Sequence, residues 1–335
     1  MTGSTRARRS RPSIRDSKRV IRLTAILTAI LLVCLQLCTA QENPNPQAPA
    51  IAAPASLLDD ARVAVATSNF ERARTQLETF LIGNPGSAEG HFLLAYSLLR
   101  LNNPKASLAE YNHAARLRAP SAEELRYVAE DYALLDDYAD AERWMQQSLQ
   151  MNAQDADTWY GLGRIQYTLQ KVPQAVESFE KALTLAPRSV KIENNLALAL
   201  EDMNREEDAI AAYRRALEWQ RESSHPSEQP MVNLAIILIR KGNLEEAESL
   251  LAQAVAIAPG DARIRAQLGH IYLKQEHFDK AQIQFEHAIA LAPDNASFHF
   301  LLGRVYRYEG MKEKADAEFA LASKLNGGKT ATADP

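Results

Sequence analysis

The 34 residues from Ala156 to Ser189, ADTWYGLGRIQYTLQKVPQAVESFEKALTLAPRS, decide the fold. Trp159, Leu162, Gly163 and the Gln166–Tyr167 step fall on one stripe of a 3.6-period helix. Ala175, Phe179 and Ala182 mark a second stripe, and Pro187 ends it. The stretch therefore predicts two amphipathic helices joined by a short turn. The small residues Gly163, Ala175 and Ala182 let the pair approach to about 8–10 Å, and Leu162 and Phe179 fill the layer between them.

The same pattern continues in both directions. Units start at Pro54, Ala88, Ala122, Ala156, Val190, Glu228, Ala262 and Ala296; six of the seven spacings are 34 and the fifth is 38. With the first residue of a unit as position 1, position 8 is small throughout: Ala61, Ala95, Ala129, Gly163, Ala197, Ala235, Gly269 and Gly303. Position 20 is Ala or Ser in every unit, and position 27 is Ala or Ser in all but the first, where Phe80 stands. Tyr132, Tyr272 and Tyr306 occupy position 11, and Pro85, Pro187, Pro259 and Pro293 occupy position 32. Asn102, Asn204, Gly242 and Gly310 at position 15 end first helices. One helix pair cannot bury its apolar face alone, so stability must be shared between stacked neighbours. The first unit departs furthest, with Asp60 at position 7, and the four extra residues fall in Gln220–Ser227, QRESSHPS.

Trp at 4, Leu-Gly at 7 and 8, Tyr at 11, Ala at 20, Phe at 24, Ala at 27 and Pro at 32 resemble the tetratricopeptide repeat. The resemblance implies an all-α, right-handed superhelical solenoid of about eight antiparallel helix pairs. It also implies a concave groove lined by first-helix positions 2, 5, 9 and 12, with 13 at the edge, that binds a protein or peptide. In that register units three and five offer Glu123, Glu130, Glu201 and Asp202, diluted by Arg126 and Lys191. Units seven and eight offer Arg263, His270, Lys274, Arg304 and Arg307, with Phe300 and Tyr308 beside them. Such a basic, aromatic cluster fits carboxylates or an acidic peptide, and a solvated charged face is the competing reading. Unit six places Val232, Ile236 and Ile239 at groove positions. They are either an apolar contact patch or a face that the insertion rotates inward.

Outside the array, residues 1–40 carry eight bases and one acid, +7, which leaves −11 for the rest of a chain whose formal charge is −4. An Arg-rich start, the apolar run Leu23–Leu37 and Cys38-Thr39-Ala40 predict a signal peptide for export to a periplasmic or extracellular space. The alternative is a membrane anchor formed by residues 23–40, and this is the expected membrane contact. Residues 41–53 read as a Pro/Ala-rich linker, residues 54–326 as the array, and residues 327–335 as a flexible tail beginning at Gly327-Gly328.

The acidic body argues against nucleic acid as partner. Both cysteines, Cys34 and Cys38, precede residue 41, so the body offers no Cys nucleophile or ligand. Gly327-Gly328-Lys329-Thr330 lacks the first glycine of a phosphate loop, because Ser323 stands there. The seven histidines form no His-Glu-x-x-His, and His91 and His299 sit at the packing position 4. Asn295-Ala296-Ser297 reads as a turn rather than a glycosylation site. The sequence thus predicts a protein-interaction scaffold of the bacterial cell envelope, or alternatively a subunit of a secretion, pilus or outer-membrane biogenesis assembly, rather than an enzyme linked to such repeats, with no cofactor and no metal; the ends of the array are candidate surfaces for a homo-oligomer.

Overall fold

The computed structural model describes residues 54–331, with side chains from 56 to 327. The signal or anchor, the linker and the last four residues of the tail lie outside the described residues. Sixteen helices follow one another, and no strand occurs among the described residues. They are α1 (Pro54–Ala66), α2 (Phe70–Gly83), α3 (Ala88–Arg100), α4 (Pro104–Leu117), α5 (Ala122–Leu134), α6 (Tyr138–Met151), α7 (Ala156–Thr168) and α8 (Val172–Leu185). Then come α9 (Val190–Asp202), α10 (Glu206–Trp219), α11 (Gln229–Lys241), α12 (Leu244–Ile257), α13 (Ala262–Lys274), α14 (Phe278–Leu291), α15 (Ala296–Tyr308) and α16 (Lys312–Ala331). Odd-numbered helices are the first helices of the eight units, and even-numbered helices the second. No described helix is long and apolar enough to cross a membrane.

The turn inside every unit uses the same device. Position 15 is left-handed in all eight units: Ser68, Asn102, Asp136, Gln170, Asn204, Gly242, Glu276 and Gly310. Only two of these are glycine, so six turns carry a side chain in a conformation that costs roughly 1–2 kcal/mol for an L-residue. Side-chain caps offset part of that cost. Asn69 and Asp137 accept backbone N–H bonds at the start of second helices, and Ser87, Ser121, Asp155, Asp261 and Asn295 do so at first helices. Asn295 is thereby spent as a cap on the N–H of Ser297, in keeping with the turn reading.

Packing follows the sequence register. Positions 8, 20 and 27 are buried wherever they hold alanine. A Cβ on Gly163, Gly269 or Gly303 would come within 2.6, 2.9 or 2.8 Å of the Phe179, Phe285 or Phe319 ring of the same unit. Glycine at position 8 is therefore paired with phenylalanine at position 24 for steric reasons. Between units, Gly90 at position 3 lies against Leu81 and Phe80, and Gly161 at position 6 lies against Met145 at position 24 of the preceding unit. Asp131 at position 10 meets Ser107 at position 20 of the preceding unit. Positions 3, 6 and 10 of each first helix thus sit on positions 27–28, 24 and 20 of the second helix before it.

Each first helix also touches the first helix of the next unit, whereas no second helix touches the next second helix among the described residues. First helices are therefore crowded together on the inner wall, and second helices are splayed on the outer one.

Two expectations need correction. Gly327-Gly328 does not end the array: α16 continues through both glycines to Ala331, and Gly327 keeps a right-handed helical backbone. The helix simply runs on where no tertiary contact demands a stop. In unit six, Ile239 is buried and Val232 and Ile236 are half-buried, so the apolar patch is closed. Rotation is not the cause, because Leu234 and Ala235 keep the fully buried positions 7 and 8. Position 12 itself faces neighbouring helices, as buried Leu99 and Leu273 also show.

Candidate binding wall of units seven and eight

Helical spacing sets Phe300, Arg304 and Tyr308 four residues apart, one above another along α15. Phe300 and Tyr308 are 51% and 61% exposed, large values for aromatic rings. Phe300 leans on Phe319 of α16 with ring centres 5.5 Å apart, and Tyr308 stacks on Phe278 at 5.3 Å. Both rings are therefore held in place while one face stays open, which lowers the entropy a ligand must remove.

On α13, His270 is half-buried, with Lys274 one turn further on. Burial first, then the charges of Lys274 and Arg304, hold the His270 imidazole below its ordinary pKa. The ring is neutral at pH 7, beside two cations. Neither Lys274 nor Arg304 has an ion-pair partner among the described residues. The three groups make a patch of positive potential across the α13–α15 seam that no acid of the fold neutralises.

The remaining predicted bases are engaged elsewhere. Arg263 grips Asp261 through two nitrogens at 3.2 and 2.7 Å, which also caps α13. Arg307, at position 12, points to α16: it bonds Asp316 at 3.1 Å and lies 4.8 Å over the Phe319 ring. Arg304, Arg307, Phe300, Tyr308, Phe319 and Ser323 line an open cleft of about 1070 Å³ between α15 and α16. The structure thus brings together His270, Lys274, Arg304, Phe300 and Tyr308, places Arg307 at the cleft rim, and sets Arg263 apart.

The predicted acidic stretch is largely self-neutralised. Glu130 binds Arg126 at 2.7 Å and Arg100 at 3.5 Å; Glu201 binds Arg240 at 2.8 Å. Lys191 bonds Asp157 at 3.1 Å, and Arg62 joins Glu89 at 2.7 Å.

Two features escaped the sequence reading. One is an aromatic hollow of about 670 Å³ on the inner wall of units one to three. It includes Tyr96 and Tyr127 at 4.5 Å and Arg118 lying 4.2 Å over Phe92. Aromatics at positions 5, 6 and 9 were the available signal. The other is the use made of position 4. His91 and His299 are buried as expected, and each joins a glutamate and a proline carbonyl. The pairs are His91 with Glu110 and Pro85 at 2.6 and 3.0 Å, and His299 with Glu318 and Pro293 at 2.7 and 2.9 Å. Position 4 of unit five is Glu193, fully buried against Arg215. These are helix-to-helix locks and offer no free ligating atom.

Family models described as tetratricopeptide repeat match residues 58–122 and 129–190, 188–260, and 238–305. Among curated proteins, the chain is 30% identical over 115 residues to BBSome complex member BBS4 of Xenopus tropicalis, covering 34% of this chain and 22% of that protein. It is 31% identical over 119 residues to the peroxisomal targeting signal receptor of Eremothecium gossypii, covering 33% and 20%. The chain thus spans about a fifth of the length of these relatives. A tetratricopeptide repeat protein of Parabacteroides merdae is similar in structure, with a TM-score of 0.58, 16% identity, and coverage of 75% of this chain and 98% of that one. The pilF protein of Pseudomonas aeruginosa gives 0.54 at 18% identity, covering 66% and 97%. At such identities the likeness concerns the fold.

Proposed function

We propose, from the premise that this chain belongs to the tetratricopeptide-repeat family, that it is a protein-interaction scaffold whose inner wall in units seven and eight captures an acidic segment of a partner polypeptide. One observation carries the reading. Lys274 and Arg304 flank a half-buried neutral His270 without any acid of their own, and the exposed ring of Phe300 stands one turn from Arg304. Cations left unpaired in a fold that pairs most of its groove charges need break no internal ion pair to meet an incoming carboxylate, whose counter-charge offsets their desolvation. Phe300 and Tyr308 supply the apolar contact that fixes register.

The test is a fluorescence-anisotropy titration with an acidic, leucine-containing peptide. Lys274→Glu with Arg304→Glu weakens binding by tenfold or more, about 1.4 kcal/mol, while far-UV circular dichroism keeps its helical signal. Unchanged affinity would remove this wall as the site. Arg263→Glu is the internal control, because that side chain is already committed to Asp261.

Residues 1–40 support a second part of the proposal, that the scaffold works outside the cytoplasm of a bacterial cell, either free or tethered at the membrane. N-terminal sequencing of mature protein distinguishes cleavage after Ala40 from retention of residues 23–40.

A further inference from the structure

We infer that copies of this chain stack head to tail, α1 of one copy seating on α16 of another. The argument starts from the seams inside the array. Position 10 is buried in seven units, at Ser97, Asp131, Ile165, Ala199, Ile237, Ile271 and Val305, because each sits on a preceding second helix. In unit one the same position is Val63, which is 61% exposed. Position 24 is buried in seven units, from Leu77 to Phe285; in unit eight it is Phe319, which is only partly covered. The two ends are therefore the two unmatched halves of one kind of joint.

Their chemistry fits. Transferring the internal register places Val63 beside the already buried Ala315, Asp59 over the partly covered Phe319, and Ser56 against the exposed Ser323. A polar residue over an aromatic ring at this joint has a precedent inside the array, where Asn195 at position 6 follows Phe179 at position 24. Asp59, bonded to Arg62 of its own helix, would arrive where Arg307, bonded to Asp316, lies over the Phe319 ring, so two ion pairs meet and can share charges across the joint. Once the next unit has stacked, positions 5 and 9 of internal units are half-buried or buried, Arg62 and Arg164 excepted, so the joint would cover part of Phe300. Stacking would therefore narrow the wall at Phe300 while His270 and Lys274 on α13 lie one unit away, and Val63→Asp, which lies outside the wall, separates the two proposals. A heterologous contact of this kind is not self-limiting, so it yields concentration-dependent chains rather than a closed dimer.

A cross-linking experiment on the full chain decides it. Cys34 and Cys38 are first replaced by serine, which leaves no other cysteine. Ser56→Cys protein is then mixed with Ser323→Cys protein under mild oxidation. The expected product is the mixed disulfide, in at least tenfold excess over either like-with-like product, and Val63→Asp in the first chain abolishes it while acidic-peptide binding is kept. Three results would overturn the inference. They are a mixed product no more abundant than that of Ser323→Cys with the exposed control Thr75→Cys, a predominance of Ser323-to-Ser323 product, and insensitivity to Val63→Asp. Residues 1–53 occupying the face of α1 would appear as the first of these.

Discussion

Units two and three do with their polar side chains what units seven and eight do not. At position 9, Glu130 binds two arginines from the inner wall, whereas His270 and Arg304 at the same position have no acid. At position 10, Asp131 is buried with only Ser107 bonded to it, at 2.6 Å, whereas Val305 is an ordinary core residue. At position 24, the hydroxyl of Tyr111 is buried without a partner, whereas Phe285 has no polar atom to satisfy. One backbone register thus supports a region that pairs its groove charge and buries an acid and a phenol at positions 10 and 24, and a region that keeps those two positions apolar and leaves the groove cations Lys274 and Arg304 unpaired. The His299–Glu318 lock of unit eight nonetheless repeats the His91–Glu110 lock of unit two. The family pattern fixes small and large positions; it leaves open whether charge serves the fold or a ligand.

The comparison can be broken most severely in the core of unit seven. Phe285→Ala opens a cavity beneath Gly269 and should cost about 3–5 kcal/mol, read from chemical denaturation. Tyr111→Phe at the equivalent position should instead stabilise by roughly 1 kcal/mol, because it removes a buried hydroxyl that bonds nothing. If both substitutions destabilise alike, the two cores do not differ as described.

Asp131 supplies the next effect. Burial, and to a lesser degree the charge of Glu130, push its carboxyl up to about 7 against the bond from Ser107. A raised folded-state value favours the protonated acid in the native state. Stability is therefore undiminished below the unfolded value near 4, falls as pH rises toward 7, and levels off above it. The total loss is on the order of 4 kcal/mol at most. Asp131→Asn should flatten that dependence between pH 4 and 7.5, as measured by urea midpoints; an unchanged slope would place its origin elsewhere.

His270 offers the complementary effect on ligand binding. Its imidazole is held low in the free protein, and an acidic ligand raises it, so binding takes up a proton. Affinity should increase several-fold as pH falls from about 8 to 6, and His270→Ala should remove the trend. Smallest of all, Arg240→Ala, midway along the array, breaks half-exposed bridges to Glu201 and Glu206 and should cost no more than about 1 kcal/mol with peptide affinity unchanged.

The architecture could be read from the sequence because it depends on residue size at fixed intervals. Gly163, Gly269 and Gly303 are small where a phenylalanine lies across from them, and that relation needs no knowledge of the partner. Position 15 was legible where it held Gly or Asn and illegible at Gln170 or Glu276. There the left-handed turn is imposed by the packed helices on either side rather than favoured by the residue. The candidate wall was half legible. Helical spacing sets Phe300, Arg304 and Tyr308 side by side, as they stand along α15, but Arg263 and Arg307 looked the same as Arg304 in sequence. What separates them is a partner within reach, Asp261 for one and Asp316 for the other, and that depends on rotamers and helix ends rather than on register.

Because each described helix meets only helices of its own and adjoining units, the length of the array behaves as a whole-number variable. Excising residues 156–189 would rejoin unit three to unit five through matching residues, and duplicating them would add one more tier. Evolution can lengthen or shorten the rod in steps of 34 residues without redesigning any joint. The reach between the aromatic hollow near one end and the cationic wall near the other would be set by that count.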